Sequence, residues 1–186
     1  MLEGGARIIQ LRDKHLPDHE FELVAQRCLS ISHWGKALFI VNDRVQIAAA
    51  VKADGVHLGQ GDMTPTEARA ILGDEMVIGL STHNREQFAR AMDEPVDYIA
   101  LGPIFGTTTK ENPDPAVGLE LVTEASAVLR SDYRPLVLIG GISKENLPQV
   151  LEAAPQALVA VMGGLLGCRD LATGVREYRR IIGGEV

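Results

Sequence analysis

At 186 residues, 46% of them hydrophobic, the chain is long enough for one domain with a sizeable buried core and too short for two comfortable ones. A formal charge of -7, from 18 Lys and Arg against 25 Asp and Glu, excludes a generic binder of the nucleic-acid backbone, which needs a basic face, and leaves small anionic ligands open. Two distant cysteines, Cys28 and Cys168, imply no disulfide framework; with no basic segment leading into an apolar signal core and no apolar run near the ~18 residues of a membrane span, the expected compartment is the cytoplasm.

The chain then alternates two hydrophobic periods. Arg7 to Leu11 reads as a buried strand. Asp18 to Ser32 carries Phe21, Val24, Ala25, Cys28 and Leu29 at helical spacing, which makes Cys28 a small buried hydrophobe on one helix face. Ala37 to Val41 is a strand, Val45 to Val51 a helix and Gly55 to Leu58 a strand. Thr64 to Leu72 is a helix with a strong start signal: Thr64 as cap, Pro65 at the first helical position and Glu67 three residues after the cap. Val77 to Leu80 (strand), Arg85 to Met92 (helix) and Asp97 to Leu101 (strand) follow. The irregular segment Gly102 to Ala116 is long enough to suggest function. Leu119 to Leu129 is a helix, Leu136 to Ile139 a strand ending at Gly140 and Gly141, and Lys144 to Glu152 a helix. Ala157 to Val161 is the last strand, followed by Gly163, Gly164 and a helix within Leu171 to Ile181.

Seven strands, each followed by a helix, point to a parallel sheet with right-handed crossovers and favour a (β/α)8 TIM barrel over a doubly wound sheet. A barrel needs an eighth strand. Because LEGGA, before Arg7, reads as the end of a helix, the expectation is a single TIM-barrel domain over 1–186 that lacks its first strand and most of its first helix.

Polar residues gather where these strands end. Asp43 and Asp62 each follow an apolar run, so neighbouring parallel strands would bring both carboxylates to one edge, a seat for a hard cation. Each also has a local use: Asp43 as a helix cap at Arg44 or Val45, Asp62 in the turn before Thr64. Gln10, Arg12 and Lys14 recur at period two as the first strand ends, with Arg suited to forking onto a phosphate and Lys to a mobile point charge. Asn42 stands ready to orient a ligand or metal waters. Thr107, Thr108, Thr109 and Lys110 offer hydroxyls, backbone donors and a charge to an anion. Gly140 and Gly141, and Gly163 and Gly164, stand where barrels build a phosphate site. Ser81 suits a cap for the following helix, His57 a packing role within a strand, and His83 lies near the mouth without a partner visible in sequence.

Together QLRDK (Gln10 to Lys14), NDR (Asn42 to Arg44), DGVHLGQGD (Asp54 to Asp62), GLSTH (Gly79 to His83), GPIFGTTTK (Gly102 to Lys110) and IGGI (Ile139 to Ile142) resemble the ordered motif set of thiamine phosphate synthase, across nearly the whole chain. The resemblance implies a TIM barrel that joins hydroxymethylpyrimidine diphosphate to thiazole phosphate, releasing pyrophosphate with Mg²⁺. It implies that Gln10, Leu11, Arg12, Asp13, Lys14, Asn42, Ser81 and Lys110 hold the pyrimidine diphosphate, with Asp43 and Asp62 on Mg²⁺. Thr107, Thr108, Thr109, Gly141, Val161 and Met162 would line the thiazole phosphate site, and Arg12, Lys14, Ser81 and Lys110 would carry the catalytic load. Val161 and Met162 stand where the family pattern has an aliphatic-Ser pair, so a hydroxyl is gone. The implied partners are small phosphorylated pyrimidine and thiazole molecules, with neither nucleic acid nor membrane; a homo-oligomer is compatible, and no surface stripe specifies one. Two alternatives stay open: a thiazole tautomerase relative, and a binder of thiamine precursors without turnover.

Overall fold

The computed structural model describes residues 1–106 and 114–183. Among these residues seven parallel strands pair in strict chain order: β1 (Ile8–Leu11), β2 (Leu38–Asn42), β3 (Gly55–Leu58), β4 (Val77–Thr82), β5 (Tyr98–Leu101), β6 (Leu136–Ile139) and β7 (Leu158–Ala160). Because the order never reverses, right-handed crossovers put the connecting helices on one face, which rules out a doubly wound sheet. The helices are α1 (Asp18–Trp34), α2 (Val45–Val51), α3 (Pro65–Leu72), α4 (Arg85–Ala91), α5 (Gly118–Leu129), α6 (Leu147–Ala153), α7 (Gly163–Leu166) and α8 (Leu171–Ile182). The segment LEGGA holds a 3-10 turn at Leu2–Gly4, which packs on α8.

Helix starts follow local chemistry. Thr64 and Glu67 form the expected reciprocal capping box, with Pro65 just inside. Asn84 Oδ1 accepts the Gln87 N–H at 2.9 Å to start α4, and the Asp170 carboxylate accepts the N–H groups of Ala172 and Thr173 to start α8. These caps satisfy donors that the first helical turn leaves without carbonyl partners.

The core lies between the sheet and its helices. Phe21 of α1, Phe39 and Val41 of β2, Leu58 of β3, Ile78 of β4, Ile99 and Leu101 of β5, and Leu138 of β6 are sealed from solvent. Each large side chain so buried contributes roughly 1.5–3 kcal/mol through the removal of apolar surface from water. Cys28 is half-buried at the edge of this core.

One polar device recurs at the N-terminal edge of the sheet. Asp54 precedes β3 and accepts the Phe39 N–H at 2.6 Å, while its own N–H donates to the Phe39 carbonyl at 3.0 Å. Asp97 precedes β5 and treats Ile78 alike, with both bonds at 2.7 Å. Each aspartate thus fixes where one strand starts against its neighbour, and that register decides which residues meet at the opposite edge.

Candidate active site

The loops after β1, β2 and β3 converge. Strand conformation stops at Leu11, so Arg12 and Lys14 sit in a loop and do not continue the period-two row that begins at Gln10. Gln10 and Arg12 are exposed and Leu11 is half-buried. Asp13 shapes this loop: its Oδ1 accepts the N–H groups of His15 and Leu16, both at 2.8 Å. Those two bonds hold its carboxyl below the usual carboxylate range. Arg44 braces the loop from the neighbouring strand end. Its Nη2 donates to the carbonyls of Asp13 (2.9 Å) and Leu16 (2.8 Å), its Nη1 to Asp18 (2.7 Å), and its Cζ stands 4.2 Å from the centroid of the Phe21 ring.

The loop delivers Lys14 to Asp43, with Nζ 3.2 Å from Oδ2. Asp43 does not cap α2: it precedes the capping residue Arg44, has a left-handed φ of 64°, and donates its N–H to the His57 carbonyl at 2.9 Å. Its carboxylate faces Asp62. Burial first, then the shared hydrogen bond and charge of Asp62, push the Asp43 carboxyl above its ordinary range, while Lys14 pulls the other way. Asp62 Oδ2 also accepts the Gly59 N–H at 2.7 Å, so its turn-shaping role and its place beside Asp43 coexist. Asn42 is buried beside them, in register with His57.

Two hard oxygen donors with excess negative charge form a fitting partial shell for a divalent cation. Among the described residues, no group of three or more His, Cys, Asp or Glu could hold a metal. A cation on Asp43 and Asp62 would therefore complete its shell with water and ligand oxygens, which is how Mg²⁺ is usually held.

Next along the sheet, Ser81 lies within β4 and is not the helix cap; Asn84 takes that role. The Ser81 hydroxyl is 2.7 Å from His57 Nε2, and Gln60 Nε2 donates to the Ser81 carbonyl at 2.7 Å. His57 Nδ1 is in turn 2.7 Å from the Tyr98 hydroxyl. Register explains the reach, since Asn42, His57, Gly79 and Tyr98 form one row across β2 to β5. A Cβ on Gly79 would lie 1.9 Å from the Tyr98 ring, so only glycine lets that ring cross β4 to stack on His57. Burial lowers the His57 pKa to about 4, which keeps the ring neutral near pH 7, and burial raises the Tyr98 hydroxyl above its ordinary range.

On the other side of the mouth, Gly140 and Gly141 both have positive φ. A Cβ on Gly141 would stand 2.6 Å from the Gly106 carbonyl oxygen, so glycine here lets the loop after β6 lie against the loop after β5. Ile104 and Phe105 donate their N–H groups to Ile139 and Gly140, which ties the two loops together. Thr107, Thr108, Thr109 and Lys110 lie outside the described residues. Val161 is half-buried after β7, and Met162 is exposed, its carbonyl accepting from Leu165 and Leu166 at the start of α7. Gly164 has a packing role, since a Cβ there would meet the Tyr178 hydroxyl at 2.1 Å.

His83 gains partners that sequence did not reveal: its Nδ1 is 2.5 Å from the Gly102 carbonyl oxygen and its Nε2 is 3.6 Å from Asp114. It lines a cleft of about 350 Å³ with Asn84, Asp114 and Leu121, beside α4 and away from the carboxylate pair. Sequence reasoning also missed Arg44, Gln60 and Tyr98 as supports of the site. Gly79, a glycine inside an apolar strand, was the available sign that a bulky neighbour approaches there.

A family model described as thiamine monophosphate synthase matches residues 1–165. The chain belongs to that family. Within it, the thiamine-phosphate synthase of Caldicellulosiruptor saccharolyticus is 41% identical over 185 residues, covering 98% of this chain and 80% of the relative. That of Syntrophomonas wolfei is 39% identical over 181 residues, covering 97% and 84%. Among solved structures, the thiamine phosphate pyrophosphorylase of Pyrococcus furiosus shares 33% identity at a TM-score of 0.86, covering all of this chain and 87% of that one. No helix among the described residues is long and apolar enough to cross a membrane.

Proposed function

We propose that this chain is a Mg²⁺-dependent transferase that joins hydroxymethylpyrimidine diphosphate to thiazole phosphate, giving thiamine phosphate and pyrophosphate. The observation that carries the reading is the meeting of Lys14 with Asp43 at 3.2 Å, beside Asp62, at the ends of three successive strands. A lysine next to a crowded carboxylate pair suits a ligand that brings both a diphosphate and a cation.

In this reading Asp43 and Asp62 hold Mg²⁺, which when bound neutralises part of the diphosphate charge. Arg12 and Lys14 meet the outer phosphate oxygens from the β1 loop, and Lys110 meets them from the loop after β5. Ser81 donates to a diphosphate oxygen, Gln10 and Asn42 orient the pyrimidine, and Leu11 and Asp13 shape its edge. As the bond from the pyrimidine methylene carbon to the diphosphate oxygen breaks, its electron pair leaves with pyrophosphate. The cationic groups stabilise that developing charge better than they stabilise the bound substrate, which is what lowers the barrier. The thiazole nitrogen then supplies the electron pair of the new C–N bond, so no protein nucleophile is required. Thr107, Thr108, Thr109, Gly141, Val161 and Met162 receive the thiazole phosphate, largely through backbone N–H groups where Met162 offers no hydroxyl.

We further propose that the seven strands belong to one (β/α)8 barrel domain. Their unreversed order supports this, as do the half-exposed Ile8, Leu38 and Leu158 near the two outer strands, which an eighth strand and its helix would cover. The test is pyrophosphate release by the purified chain given both precursors, with and without Mg²⁺, beside Asp43→Ala. Release that requires Mg²⁺ and disappears in the variant is expected. A folded wild-type chain that binds the precursors and releases nothing would overturn the transferase reading and favour the binder.

A further inference from the structure

The support beneath Ser81 has a polarity that neither the family match nor the expected ligand contacts assign. Ser81 is half-exposed at the mouth, and its hydroxyl rests on His57 Nε2; His57 is 6% exposed and touches Tyr98 through its other ring nitrogen. A neutral imidazole has one N–H and one bare nitrogen, so the two bonds of His57 cannot both donate or both accept. Whichever way the first bond runs fixes the second, and the second decides where the serine proton points.

The phenol settles the direction. A phenolic O–H is a more acidic donor than a neutral imidazole N–H, and an imidazole nitrogen is a better acceptor than a phenolic oxygen, so a bond between them in a dry site runs from Tyr98 to His57. We propose that Tyr98 and His57 are positioning residues that lock Ser81 as a hydrogen-bond donor toward the ligand: Tyr98 O–H donates to His57 Nδ1, His57 Nε2–H donates to Ser81 Oγ, and the serine proton is left to the mouth. A serine so held has its proton free to offer to an anionic oxygen. That is the requirement of a group that meets a departing diphosphate and the opposite of one serving as a nucleophile. Gln60 holds the Ser81 backbone as well, its Nε2 donating to the Ser81 carbonyl at 2.7 Å. Gly79 is part of the device, because it opens the path of the Tyr98 ring across β4.

The inference rests on the proposed role of Ser81 at the diphosphate, and its test separates the two ideas. Long-range ¹⁵N–¹H correlation spectra of the ¹⁵N-histidine-labelled full chain report the tautomer of His57 without any turnover. The expected wild-type spectrum shows the Nε2–H tautomer. In Tyr98→Phe the His57 signals should move toward a tautomer mixture, and kcat for pyrophosphate release should fall by about tenfold, as for one aligned hydrogen bond lost, with KM for the pyrimidine substrate changing much less. His57→Gln, whose amide can still donate to Ser81, should retain more kcat than His57→Leu. An Nδ1–H tautomer in the wild type overturns the proposal, as does an unchanged kcat in Tyr98→Phe; if that variant fails to fold, the wild-type spectrum alone decides. A wild-type chain that shows the Nε2–H tautomer yet releases no pyrophosphate sinks the transferase reading and leaves the polarity standing.

Discussion

His57 should make this protein's stability depend on pH in a way that can be isolated. Its folded-state pKa is about 4, set first by burial, against 6.5 for an exposed histidine. Between those values the unfolded chain binds a proton that the folded chain refuses, so stability rises with pH across the window and is lost as pH falls through it. Two and a half pKa steps correspond to about 3 kcal/mol, a large share of a typical domain's total stability. With a urea m-value of about 2 kcal/mol/M, the midpoint should drop by ~1.5 M between pH 7 and pH 4 on this account alone. Carboxylates also titrate there, so the quantity to measure is the difference between wild type and His57→Gln in urea melts at half-unit pH steps. The two curves should converge as pH falls from 6.5 to 4, because the variant lacks the titrating ring. Curves that stay parallel over that range would refute the burial argument for His57.

Other outcomes follow from the same geometry. Gly79→Ala would set a Cβ 1.9 Å from the Tyr98 ring; it should cost at least ~2 kcal/mol in urea unfolding and cost less when Tyr98 is already leucine, a coupling read from a double-mutant cycle. Asp43→Asn should raise the melting temperature measured without metal, since burial and Asp62 both oppose the Asp43 charge, while pyrophosphate release with Mg²⁺ falls on the order of 100-fold. Lys14→Met should lower kcat/KM for the pyrimidine diphosphate roughly tenfold, the scale of one charge-assisted contact, with most of the loss in kcat and near-normal folding by circular dichroism.

Most of the scaffold was legible because its elements carry unmixed signals. Gly55 to Leu58 and Leu136 to Ile139 are short apolar runs whose strand assignments match the structure to the residue, and Thr64-Pro65-Glu67 announces α3 with three independent start signals. Helix α6 starts at Leu147 and not at Lys144, β7 is shorter by a residue at each end, and two further errors sit where polar residues follow a strand's apolar run. β4 runs on through Ser81 and Thr82, whose hydroxyls look like loop chemistry, because both stay paired to β5 and Thr82 buries its hydroxyl on the Ala100 carbonyl at 2.9 Å. The reverse error was made at Arg12 and Lys14, where alternation in sequence imitates a strand after the strand has ended. Of the site, Asp43, Asp62 and Lys14 do come together, as their positions after neighbouring strands implied. Their supports were not readable: Tyr98 reaches His57 across an intervening strand, and Arg44 bonds carbonyls of the β1 loop, contacts that leave no periodic trace in a sequence.

Arg44 also bears on the cost of recognition. By grasping two backbone carbonyls of the loop that carries Arg12 and Lys14, and by lying on Phe21, it spends ordering entropy during folding that, in the role proposed for those two cations, would otherwise be charged to each encounter with the diphosphate. Lysine at this position would keep the positive charge and lose the fork, in which Nη2 serves both carbonyls while Nη1 holds Asp18. A chain so altered would present the same cations on a looser tether, and its weakness would show in how long a ligand stays more than in how fast it arrives.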